Sequence, residues 1–198
     1  MKRYITLLSA VFILALTGCS SIDVKQDFDT TYNFQDFTTY AWLDKDRTRS
    51  VDTRINNDLV KNRMISAIES ALDAKGFTKV AKDQASFLVE WHGSIDSKLQ
   101  VDTIDHYYRP YGYGARRGYD PFVHSRSSRT VVSEYDLGTL LIDILDPAEH
   151  KLIWRGTGQG IVHDNNEPAE ITENIHNAVL EILAQFPPKN APTTPKEK

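Results

Sequence analysis

The chain has 198 residues, with 23 Lys and Arg against 27 Asp and Glu, a net charge of −4 and 40% hydrophobic residues. That length and apolar content suit one domain with its own core. The acidic balance argues against nucleic acid, which is gripped by surplus Lys and Arg, and with Cys19 as the single cysteine no disulfide or multi-thiolate metal site can form within the chain.

Lys2 and Arg3 make a short positive start, Ile5 to Leu16 is a nearly unbroken apolar run, and Leu16-Thr17-Gly18-Cys19 follows. A positive end, a short apolar core and small residues at the cut form the layout of a secretory signal peptide. The run is shorter than the roughly 20 residues that cross a bilayer as a helix. Its ending resembles the bacterial lipobox, in which the cysteine sulfur takes a diacylglycerol, the chain is cut just before it, and the freed amine is commonly acylated with a fatty acid such as palmitate. Residues 1–18 are therefore expected to be a cleaved signal peptide, with Cys19 as the lipidation site and 19–21 as a short tether. The cut removes Lys2 and Arg3 and no acid, which leaves 21 basic against 27 acidic residues. Acyl chains rather than a polybasic patch would then do the anchoring. Ser20, rather than Asp, follows the cysteine, which resembles the pattern exported to the outer membrane, so the expected address is its periplasmic face.

From Ile22 the sequence alternates through Val24 to Phe28, and Thr38 to Leu43 is rich in β-branched and aromatic residues; both read as strands. Only Ser20 and Ser21 separate the cysteine from the first of them, which places the domain directly on its membrane. Asp52 is the expected N-cap of a helix reaching about Lys75, with Ile55, Leu59, Met64, Ile68, Ala71 and Leu72 as its apolar stripe. Gly76 and Phe77 fit a Schellman ending. Phe77 to Val80 can begin another strand, which Lys82-Asp83-Gln84 breaks.

The clearest strand follows. Phe87, Val89, Trp91, Gly93, Ile95, Leu99 and Val101 share one parity, and Glu90, His92, Ser94, Asp96, Lys98 and Gln100 share the other, as when one sheet face is buried and one is wet. Residues 102–129 form a Tyr, Gly and Arg-rich insert. The chain resumes as a strand from Thr130 to Leu137, and Thr139 to Asp146 is apolar on both parities. A turn at Pro147 to His150 leads to Leu152-Ile153-Trp154 and to Gly156, Gly158 and Gly160 on one face. The last helix starts near Pro168, a favourable first residue, with Ile171, Ile175, Ala178, Val179, Ile182, Leu183 and Phe186 as its stripe; Pro187 and Pro188 stop it. Residues 189–198 are Pro, Thr and Lys-rich and read as a disordered tail. The order β-β-α-β-β-β-α over 22–188 predicts a single α+β domain, a two-layer sandwich of a mainly antiparallel sheet with two helices on one face.

The ordered set of motifs resembles the bacterial lipoproteins defined by domain of unknown function 4136. It comprises Tyr32 to Asp36 leading into Phe37-Thr38-Thr39-Tyr40-Ala41-Trp42, then Ala71-Leu72-Asp73-Ala74-Lys75-Gly76-Phe77, then Ala85-Ser86-Phe87-Leu88-Val89, where an acid is expected in place of Ser86. Gly138-Thr139-Leu140-Leu141-Ile142-Asp143, Lys151-Leu152-Ile153-Trp154-Arg155-Gly156 and Phe186-Pro187-Pro188 complete it. The likeness runs from about Val24 to Pro188. It implies an envelope lipoprotein and supplies no catalytic residues, no cofactor and no metal.

Two sets of residues are candidate sites. In the insert, Tyr107, Tyr108, Tyr111, Tyr113 and Tyr119 alternate with Arg109, Arg116 and Arg117, rings that stack on sugars beside guanidinium groups that fork onto carboxylate or phosphate. Peptidoglycan, lipopolysaccharide or an acidic envelope protein would suit them; a hairpin tip with local contacts is the plainer alternative. On the long strand, Glu90, His92 and Asp96, with Ser94, share one face at two-residue spacing, the geometry of an acid/base pair in an envelope hydrolase or simply of a solvated sheet face. Asp143 and Arg155, both flanked by apolar residues, read as a structural pair. A four-residue loop at 147–150 places Asp143 opposite Trp154, whereas a shift of one residue places it opposite Arg155. The three alternate glycines lack the register of a phosphate loop and mark a bulge or close packing. The function expected from these features is a non-catalytic binding or assembly module.

Overall fold

The computed structural model describes residues 22–43, 52–107, 126–163 and 167–189. The expected signal peptide (1–18), Cys19 and its expected tether, and residues 44–51, 108–125, 164–166 and 190–198 lie outside them. In chain order the elements are β1 (Asp23–Phe28), β2 (Thr39–Trp42), α1 (Asp58–Ala74), β3 (Thr78–Lys79), β4 (Phe87–Tyr107), β5 (Arg126–Leu145), β6 (Leu152–Val162) and α2 (Pro168–Leu183). The six strands form one sheet in the order β1-β6-β5-β4-β2-β3. β4, β5, β6 and β1 are antiparallel neighbours, while β2 runs parallel to both β4 and β3. The expected α+β sandwich is the observed one, and the strand expected within Phe77 to Val80 is the two-residue edge strand β3.

The core lies between the sheet and the two helices. Along β4 the buried parity carries Phe87, Val89 and Trp91; Ile142, Ile144 and Trp154 continue that face on β5 and β6. Helix α1 covers it with Met64, Ile65, Ala67, Ile68, Ala71 and Leu72, and α2 with Val179, Ile182 and Leu183. Phe186, just past the end of α2, inserts among Phe34, Phe77, Phe87 and Trp154. No helix among the described residues is long and apolar enough to cross a membrane.

Local chemistry explains the helix limits and corrects two expectations. The first helix begins at Asp58, not after Asp52: Asn57 is the N-cap, its side chain accepting from the Val60 N–H. Asp52 instead closes a turn, with its carboxylate accepting from the Arg54 N–H. Ile55 is buried from that turn, against Gly93, where an added Cβ would meet Ile55 Cγ2 at 3.2 Å. Leu59, expected on the stripe, is exposed, because at about 3.6 residues per turn it falls on the face opposite Ile68. The Schellman ending holds: Gly76 (φ +89°) donates to the Asp73 carbonyl and Phe77 to the Leu72 carbonyl. Pro168 opens α2 behind a Glu167/Glu170 capping box.

Ser86 replaces the expected acid without loss of contacts. Its hydroxyl oxygen accepts from the Thr38 and Thr39 N–H groups and donates to the Thr39 carbonyl at 2.6 Å. A carboxylate would supply the two acceptors; only the hydroxyl also donates.

The glycine stripe of β6 is close packing. A Cβ on Gly156 would fall inside the van der Waals surfaces of Ile182 Cγ2 and Trp154 Cη2, and one on Gly158 would lie 2.8 Å from Ile182 Cδ1. Both obstructing side chains are fully buried. Gly156→Ala is therefore expected to destabilise the fold by about 1–3 kcal/mol through overpacking, read as a lower urea midpoint at unchanged slope. A neutral result would mean that α2 rides higher over β6 than these distances allow.

Candidate functional site

The helix-free face of the sheet carries a row of charges across four strands. Glu90 of β4 is directly opposite Asp143 of β5, Asp143 opposite Arg155 of β6, and Arg155 opposite Asp27 of β1. A bulge creates this row. The hairpin closes as its loop length dictates, with Leu145 opposite Leu152 and Asp146 N–H donating to the Lys151 carbonyl. One extra residue, Ile153, then shifts the ladder so that Ile144 faces Trp154 and Asp143 faces Arg155. The same bulge lets Ile153 and Trp154 both enter the core.

Asp143 is 3% exposed and Glu90 is 5% exposed. Arg155 clamps Asp143 with two charge-assisted bonds, Nε to Oδ1 at 2.7 Å and Nη2 to Oδ2 at 2.6 Å. These bonds hold the guanidinium pKa above its ordinary value. His92 Nε2 lies 3.5 Å from Glu90 Oε2 and 3.7 Å from Asp143 Oδ2. Buried like charges directly opposite each other repel, and the Arg155 guanidinium bonded to Asp143 supplies a positive charge beside them. Beside the row, Ala41, Leu88 and Leu145 form a second, small apolar cluster.

The polar parity of β4 is thus not a uniformly solvated face: Glu90 is buried and His92 half-buried, while Ser94 and Asp96 are exposed. Asp96 sits opposite Leu137, two rungs beyond the His92–Leu141 pair on this face, so the structure brings Glu90 and His92 together and leaves Asp96 apart. Arg155 and Asp143, read from sequence only as a structural pair of open register, are the partners that sequence could not connect to Glu90 and His92. A shallow groove between α1 and α2, lined by Arg63, Ser66, Ser70, Thr172 and His176, lies on the other side of the sheet. Among the described residues no group of three or more His, Cys, Asp or Glu has the geometry to hold a metal ion.

The insert is partly regular. β4 and β5 stay paired as far as Tyr107 opposite Arg126, so Tyr107 ends a ladder, and Tyr108, Arg109, Tyr111, Tyr113, Arg116, Arg117 and Tyr119 lie outside the described residues. Past Asp136, which pairs with Val162, β5 has no β6 partner, and β4 and β5 continue as a two-stranded arm. At its base, Asp136 is tied to Arg54 and accepts from the Ser97 hydroxyl at 2.6 Å.

Among solved structures the chain resembles a PDZ domain protein from Parabacteroides distasonis, at a TM-score of 0.51 and 15% identity over 93% of this chain and 40% of that one. This chain therefore spans well under half of that protein's length, and the likeness concerns the fold. Lower similarity is found to a PelC dodecamer from Paraburkholderia phytofirmans, at a TM-score of 0.43 and 10% identity over 82% of this chain and 95% of that one. A putative neuraminyllactose-binding hemagglutinin homolog from Helicobacter pylori gives a TM-score of 0.44 and 11% identity over 82% and 93%. None of the curated proteins matches the chain. The family model for the domain of unknown function DUF4136 matches residues 24–188, nearly the span over which the sequence motifs run, and the chain belongs to that family.

Proposed function

We propose that the chain is a non-catalytic binding or assembly module of the bacterial cell envelope, held by acyl chains on Cys19 at the periplasmic face of the outer membrane. The observation that carries the non-catalytic reading is how the titratable groups are engaged. Asp143 has both oxygens committed to Arg155, and His92 lies 3.5 and 3.7 Å from two carboxylates on the same sheet face, Glu90 of β4 and Asp143 of β5. A general base needs reach to a substrate proton in a pocket assembled from several elements; here Asp143 is clamped by Arg155 and the remaining groups share one sheet face with it. The anchoring reading is supported by the positive start, the apolar run and the Leu-x-Gly-Cys ending.

The binding surface we favour is the segment carrying Tyr107, Tyr108, Arg109, Tyr111, Tyr113, Arg116, Arg117 and Tyr119, facing an envelope protein, peptidoglycan or lipopolysaccharide. A photo-crosslinking residue placed at Tyr108 in cells should yield one discrete adduct, lost when 108–125 is replaced by a short turn. Absence of any discrete adduct, with the shortened protein keeping its phenotype, would reject the binding reading.

A further inference from the structure

The arm and the anchor leave the sheet at the same end. β1 enters at Asp23, opposite Gln159, and that row continues through Thr139 of β5 to Ser94 of β4. Ile22 lies over the glycine stripe, 3.5 and 3.6 Å from where Cβ atoms on Gly158 and Gly160 would sit. Because β1 and β5 are both antiparallel to β6, the chain traced back from Ile22 heads the way the arm projects. From Asp23 back to Cys19 the chain spans at most about 14 Å. Along β4, Leu99 lies about 17 Å beyond the Ser94 row, Val101 about 24 Å, and the ladder's end at Tyr107 about 44 Å, at roughly 3.4 Å per residue. Even a fully extended tether thus leaves the outer arm farther out than the cysteine sulfur.

The outer arm is amphipathic. Leu99 is 71% exposed, Val101 62% and Val132 58%, and the register puts all three on one face, Leu99 opposite Glu134 and Val101 opposite Val132. The other face carries Lys98, Gln100, Ser133 and Tyr135, with Val131 farther out. Among the described residues no further strand lies along either edge of this two-stranded ribbon, and an unpaired backbone group costs several kcal/mol in hydrocarbon. Open edges of this kind do not suit passage through a lipid core.

We propose that the arm is a second membrane contact: it lies on the same lipid surface that holds Cys19, with Leu99, Val101 and Val132 at the boundary of headgroups and acyl chains, and so fixes the domain's orientation. The inference rests on the anchored reading above. Since Cys19 is the only cysteine and its sulfur is acylated in that reading, one introduced cysteine can be labelled uniquely. The full lipidated protein is reconstituted into phosphatidylethanolamine/phosphatidylglycerol vesicles with an environment-sensitive fluorophore at Leu99→Cys, at Val101→Cys or, in the turn at the opposite end of the sheet, at Ala148→Cys. Lipids brominated near the top of the acyl chain should quench the first two labels several-fold more than the third. Co-flotation with vesicles but equal quenching at all three positions would overturn the arm contact alone and leave the stripe to a protein partner. Failure of the protein to float with vesicles would overturn the anchor and the arm contact together.

Discussion

Phe186→Ala is expected to lower the stability of the fold by about 3–5 kcal/mol, the range for removing a large buried aromatic side chain. The side chain is fully buried, and its ring is 5.1 Å from Trp154, 5.4 Å from Phe87, 5.7 Å from Phe77 and 6.1 Å from Phe34. Those four partners come from β6, β4, the turn after α1 and the connection between β1 and β2. Phe186 thus ties the end of α2 to segments spread from residue 34 to residue 154. Edge and tilted ring pairs add to the burial of area, and the cavity left by alanine is bounded by rings that cannot collapse into it. Against a domain stability of about 5–15 kcal/mol, the variant should be partly unfolded under mild denaturant. Phe186→Leu should recover roughly half the loss by refilling volume. Urea unfolding followed by tryptophan fluorescence reads both; an alanine loss below about 1 kcal/mol would show that the proline-terminated end is not docked as the ring distances indicate.

The position of Phe186 illustrates what periodicity delivers and where it stops. The stripe of α2, the Schellman glycine at 76 and the alternation of β4 follow from local chemistry, and each is legible because the residue type and the backbone need coincide at one position. Periodicity identifies a face, however, not what covers it. Leu99 and Val101 share the parity of Phe87 and Val89 but lie past the reach of the helices, so the same pattern means core at one end of β4 and exposed arm at the other. The converse holds for Glu90, which sits on the polar parity yet is buried because Asp143, His92 and the small Ala41/Leu88/Leu145 cluster surround it on that face. The bulge at Ile153 was beyond reach for a different reason. Loop length set the pairing next to the turn correctly, but whether one residue is extruded depends on how Ile153 and Trp154 fit the core, a tertiary condition. Nor could the sequence say which way the insert points. That follows only from the strand order, which sends β1 and the arm out of the same end.

The bulge has an energetic consequence that tests the charge row. Arg155→Met would leave Asp143 and Glu90, two nearly dry carboxylates on adjacent strands, with His92 as the remaining neighbour of opposite potential charge. Breaking a buried ion pair by removing one partner costs about 3–5 kcal/mol. The Arg155 side chain is itself 41% exposed, so water can take over part of its role, and the expected loss lies near the lower bound, about 3 kcal/mol. Arg155→Lys, which keeps the charge but not the two-pronged geometry, should lose less. Asp143→Asn combined with Arg155→Met should recover most of the loss at neutral pH, because the charge that needed the arginine is gone. A double variant no better than the single one would mean that Arg155 contributes through its packing and not by neutralising this face.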